Sequence, residues 1–110
     1  MTVAGRSASA GSWSYQLNAP SAVIYHAASG YIYIMDSGNR RVQRWIPGAQ
    51  YGFTVAESST MSSPRGMRFD SAGNLAIVDH SRHRVISFSI TCRKYHDITC
   101  HVYHYDFVFS

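Results

Sequence analysis

The apolar residues of this chain come in short runs separated by turn formers. Ala22–Tyr25 (AVIY) and Tyr31–Met35 (YIYIM) are continuous apolar stretches, Arg41–Ile46 (RVQRWI) alternates, and Phe53–Ala56 (FTVA) is short and leads into a polar linker. The same order returns with GMRF, LAIV and RVISF in residues 66 to 88. A continuous apolar run predicts a strand covered on both faces, and alternation predicts one wetter face. AASG, DSGNR and PGAQYG carry the residues that turns need, and no window of ten residues shows helical spacing. The pattern therefore predicts an all-β chain built from units of four short antiparallel strands. Pro20 and Pro64 stand just before the first strand of each unit, where a missing N–H is tolerated.

The unit is written twice. DSGNRRVQRW (Asp36–Trp45) and DHSRHRVISF (Asp79–Phe88) share an Asp, an Arg-Val pair five residues on, and an aromatic three residues later. Gly30 matches Gly73, Asp36 matches Asp79, Arg41 matches Arg84, and Trp45 matches Phe88. A further echo links TVAG at Thr2–Gly5 with TVAE at Thr54–Glu57. Four short strands repeated about every 43 residues read as a propeller blade. The Gly-His and Trp-Asp pairs of WD40 blades are absent.

The Pro, strand, Gly, YIYIMDSGNRRVQRW and PGAQYGFTVA order resembles the NHL repeat family over residues 17 to 90. The resemblance implies part of a six-bladed β-propeller, about two four-stranded antiparallel blades with a divergent C-terminal tail. It divides the chain into 1–16, the end of a preceding blade plus a polar linker; 17–57, the first repeat; 61–90, the second; and 91–110, the tail. The second copy departs from the first at His80, Arg82 and His83, which replace Ser37, Asn39 and Arg40. The first copy departs from the family at His26, where the second has Asp70.

Residues present in both units are expected to serve blade geometry. Asp36 and Asp79 open a tight connection, where a short carboxylate accepts backbone N–H bonds. Arg41 and Arg84 are close enough to pair with them, and Gly30 and Gly73 supply hairpin freedom. Residues that differ are the better binding candidates: Ser21 against Arg65, Ser37 against His80, Asn39 against Arg82, and Arg40 against His83. They fall in the connection before the first strand and the one between the second and third. In an antiparallel blade these emerge at one end, so Arg40, Arg65, Arg82, His80 and His83 should share a basic rim.

Composition adds the sign of the partner. There are 10 basic residues against 6 acidic ones, with a net charge of +4, and all the basic residues but Lys94 are Arg. Arg suits bidentate contacts to carboxylate or phosphate. At 45% hydrophobic residues the chain can build a core. No apolar run is long enough to cross a membrane as a helix, and MTVAGRSASAGSWSY lacks the apolar stretch of a signal peptide.

Catalytic chemistry finds no motif. There is no Gly-rich phosphate loop, no Ser-His-Asp context and no carboxylate pair. The tail holds Cys92, His96, Cys100, His101 and His104, all metal-ligand types. Read as one strand, it would place Cys100 and His104 about 13 Å apart at ~3.3 Å per residue, too far for one ion. No metal or cofactor is expected.

The resemblance thus implies a non-catalytic binding scaffold that recognises a protein partner. Single-stranded RNA on the basic rim is the alternative, and a two-blade unit of a trimeric lectin-like ring is a third reading. Two blades alone would leave large side chains such as Tyr33, Trp45, Phe69 and Phe88 facing water. The chain is therefore expected to need further blades, from a longer chain or by self-association. The TVAG start, inside what reads as an outer strand, favours the longer chain.

Overall fold

A computed structural model describes residues 1–90 and 102–108; for Ile90 and Val102–Val108 only the backbone is described. The chain is all-β, with two antiparallel sheets and no α-helix among the described residues. The first sheet is a meander of β1 (Pro20–His26), β2 (Tyr31–Asp36), β3 (Arg41–Trp45) and β4 (Phe53–Glu57). The second is β5 (Pro64–Phe69), β6 (Leu75–Asp79), β7 (Arg84–Ile90) and β8 (Val102–Val108). Each predicted run became a strand within a residue or two of its apolar limits. The tail strand pairs antiparallel with β7, Arg84 opposite Val108 and Ile90 opposite Val102.

Pro20 and Pro64 are the first residues of β1 and β5, not residues ahead of them. Each is followed by a register shift, between Pro20 and Ala22 and between Pro64 and Gly66. The missing N–H thus falls where the ladder is already interrupted. Gly30 and Gly73 turn the chain between the first two strands of each sheet with φ of +77° and +85°, a conformation that costs other residues energy. The next connection in each sheet is a single 3-10 turn, Ser37–Asn39 and His80–Arg82. Arg40 and His83 close these turns at φ 52° and 53°, left-handed without being glycine.

The strand period of two sorts the side chains onto faces. Ile32, Ile34 and Asp36 pair across the ladder with Trp45, Gln43 and Arg41, and all lie on the front of the first sheet. Tyr33, Met35, Val42 and Arg44 lie on its rear. In the second sheet Leu75, Ile77 and Asp79 pair with Phe88, Ile86 and Arg84 on the corresponding front. The main core joins the rear of the first sheet to the front of the second: Tyr33, Met35 and Val42 pack with Met67, Leu75, Ile77, Ile86 and Phe88. A second cluster, Ile32, Ile34 and Trp45, lies on the front of the first sheet under Ala4 and Leu17.

That cover comes from residues 1 to 19, which contain no strand. Thr2–Gly5 is irregular, whereas its sequence echo Thr54–Glu57 is in β4. The segment is nevertheless anchored. The Val3 carbonyl accepts from the Gly48 N–H at 3.2 Å and the Ser14 carbonyl from the Gly52 N–H at 2.7 Å. This corrects the expected exposure of the large side chains. Tyr33 and Phe88 are buried between the sheets, Trp45 is buried under the N-terminal segment, and Phe69 is half-buried.

Candidate functional site

The connections between the second and third strands meet the segments that precede β1 and β5 at one end of the two sheets. The Ser58 N–H donates to the Arg40 carbonyl at 3.3 Å, and the Arg40 guanidinium reaches the Ser59 carbonyl at 3.3 Å. The His80 N–H donates to the Ser63 carbonyl at 3.0 Å. The Ser21 and Ser37 hydroxyls both lie 3.2 Å from the Pro64 carbonyl and one of them donates to it, which ties the rim of the first sheet to the start of the second. Arg40, Arg65, His80, Arg82 and His83 are all exposed at this end. Glu57, at the end of β4 opposite Arg41, adds an exposed acid there that sequence reading did not count.

Two buried ion pairs hold the rim. Arg41 Nε lies 2.7 Å from Asp36 Oδ2, and Arg84 Nε lies 3.0 Å from Asp79 Oδ2. Both carboxylates are fully buried. The amides they accept from belong not to the tight turn itself but to the segment ahead of each sheet. The Asn18 N–H donates to Asp36 at 2.6 Å; the Ser62 and Ser63 N–H groups donate to Asp79 at 3.2 and 3.0 Å. The arginines reach the same segments: Arg41 donates to the carbonyls of Ser12, Trp13 and Gln16, and Arg84 to that of Thr60. Each pair is a strap that fixes the incoming chain to its own sheet. Burial pushes the Asp79 carboxyl up, but the Ser63 N–H, the Arg84 guanidinium and the Ser62 N–H together hold it below its usual range.

The positions that differ between the units do not all face solvent as free side chains. Asn39 donates to Asp36 and to the Gly11 carbonyl, both at 2.8 Å. Ser21 and Ser37 also bond each other. These three are structural in the first unit: Asn39 ties the buried Asp36 to the N-terminal segment, and the two serines meet the Pro64 carbonyl. The rim that remains consists of the exposed Arg and His side chains.

Sequence reading missed a second group at the opposite end of the sheets. Arg44 is buried with its guanidinium over the rings of Tyr31 at 4.6 Å and Phe53 at 5.2 Å. Tyr33 packs edge-on against Phe69 at 4.9 Å, and His26 against Phe69 at 5.5 Å. Burial pushes the Tyr33 phenol up, partly offset by Arg44. Arg44 stands where the second unit has Ser87, so the rule that changed residues merit attention would have found it. A further open cleft of about 520 Å³ is lined by Arg6, Tyr15, Ala49 and Tyr51, with Arg6 stacked 4.9 Å over Tyr15.

Among the described residues no three His, Cys, Asp or Glu side chains gather as metal ligands do. Cys92, His96, Cys100 and His101 lie outside the described residues, as does the side chain of His104. Compared with known proteins, the chain matches no family model, no curated protein and no solved structure.

Proposed function

We propose that this chain is two blades of an NHL-type propeller serving as a non-catalytic binding scaffold, with the rim of Arg40, Arg65, His80, Arg82 and His83 as the surface that takes an acidic protein partner. The observation that carries the proposal is the separation of charge at that end. Asp36 and Asp79 are buried and neutralised by Arg41 and Arg84, while the differing Arg and His side chains stay exposed. Front-to-rear stacking of two four-stranded sheets supports the blade reading.

The rim side chains are exposed to solvent, so they favour electrostatic complementarity and a fast encounter over great affinity. Binding of a poly-glutamate peptide should weaken at least tenfold when Arg40, Arg65 and Arg82 are all changed to Glu, with the fold intact by circular dichroism. Binding unchanged by the triple variant would remove the rim from the function.

Single-stranded RNA is the second reading, favoured by the predominance of Arg among the basic residues. Affinity for a homopolymeric RNA would then exceed that for poly-glutamate. It would also fall with a log–log salt slope of about −0.7 per phosphate contacted.

A further inference from the structure

The internal repeat supplies a control for every position on the two sheets. Val23 and Tyr25 sit opposite Ile34 and Ile32 in the first sheet; Met67 and Phe69 sit opposite Ile77 and Leu75 in the second. Val23 is thus the counterpart of Met67 and Tyr25 that of Phe69. Met67 is 9% exposed because the first sheet covers it, whereas Val23 is 65% exposed. The rear faces mirror this. Met35 and Val78 are counterparts, opposite Val42 and Val85. Met35 is completely buried by the second sheet, whereas Val78 is 44% exposed. The same fold therefore presents one buried front-on-rear interface and, uncovered at the two ends, the β1 part of a second front and a second rear at Val78.

We infer that the front of the first sheet and the rear of the second are the two halves of a head-to-tail interface between copies of this chain. The occupant is specified by the interface already inside the molecule, in which a rear face of this repeat covers a front face of this repeat. The geometry transfers because the sheets meet most closely along β1 and β5, and β1 is the strand the N-terminal segment leaves bare. That segment covers Ile34 and Trp45 but not Val23 or Tyr25. An open groove of about 410 Å³ runs there between Val3, Leu17, Val23 and Ile32. On the opposite end a groove of about 520 Å³ is floored by Val78 and Val85.

The sizes are also complementary. The open rear carries Ala76 and Val78 where the covered one carries Tyr33 and Met35, leaving room for Tyr25. Arg68 occupies the place of Ile24, opposite Ala76. Its stem would lie on Val23 and its guanidinium on the Tyr25 ring. A front-to-rear contact is heterologous, so each copy added covers one open face and presents another until a ring closes.

Complementary variants test this on the full chain. Wild type should rise above monomer mass with concentration in analytical ultracentrifugation. Tyr25→Asp, which breaks only the front, and Val78→Asp, which breaks only the rear, should each remain monomeric with an unchanged circular dichroism spectrum. Mixed together, they should form a 1:1 dimer, because each supplies the face the other lacks. A wild type that stays monomeric at high concentration overturns the inference. So does a mixture that stays monomeric, or a single variant that still self-associates.

Discussion

Arg84 and Asp79 lie side by side on the front of the second sheet, 3.0 Å apart, and between them they grip the segment that precedes it. One carboxylate oxygen takes the arginine and the other takes the Ser62 and Ser63 amides. Arg41 and Asp36 do the same for the first sheet. A ten-residue pattern is therefore written twice because each sheet needs its own strap.

Asp79→Ala should destabilise the protein by about 3 kcal/mol. It takes the carboxylate acceptor from a largely buried guanidinium and from two amides at once. Asp36→Ala should cost a similar amount. Urea denaturation of each variant gives the value, and a loss under about 0.5 kcal/mol would show that the strap carries no stability.

Acid should loosen the same strap. The Asp79 carboxyl is held below its ordinary value of 3.8, as is that of Asp70, which accepts from the Asn74 and Ala72 amides. A depressed carboxylate contributes stability that is complete above its unfolded pKa and is lost as pH falls through the folded one. The melting temperature should therefore be level above about pH 5 and drop below about pH 4. Asp79→Asn should lower the plateau and flatten the acid limb.

The left-handed residue closing each 3-10 turn sets up an opposed pair of substitutions. Arg40→Gly removes Cβ strain at φ 52° and should range from neutral to about 1 kcal/mol stabilising. Arg40→Val adds a branched Cβ there and should cost about 1–2 kcal/mol. Equal effects in thermal melts would mean that the side chain, not the backbone, governs this position.

Asn39 and Arg82 occupy the same place in the two units but should respond differently. Asn39→Ala removes bonds to the buried Asp36 and to the Gly11 carbonyl, a loss of about 1–2 kcal/mol. Arg82→Ala, on the exposed rim, should change stability by less than about 0.5 kcal/mol. Denaturant midpoints of the two variants make the comparison.

Gly52 is fixed by a neighbour. A Cβ there would stand 2.3 Å from the Trp45 ring, which is buried and tied to the Ala49 carbonyl at 2.8 Å. Gly52→Ala should cost about 2 kcal/mol by forcing the indole aside, read from the melting temperature and from quenching of Trp45 fluorescence.

The sequence by itself determined the strands, their order and the Asp–Arg pairs, but not that each pair grips the segment ahead of its sheet. Those depend on local information: the period of side-chain alternation, Gly at the turns, and an Asp and Arg five residues apart. The Arg and His residues of the rim were legible because an antiparallel meander returns alternate connections to the same end.

Burial across the sheets was decided only by tertiary structure. Met35 and Val78 have the same local setting, yet one lies at the centre of the core and the other on the surface. Trp45 is buried by residues far away in sequence whose own pattern predicts a strand that does not form. Arg44 reads as a surface residue of an alternating strand until Tyr31 and Phe53 close over it. Hydrogen bonds within a meander join residues close in sequence, so pattern reveals them. What covers a finished sheet depends on which surface comes to lie on it, and the sheet's own sequence carries no record of that choice.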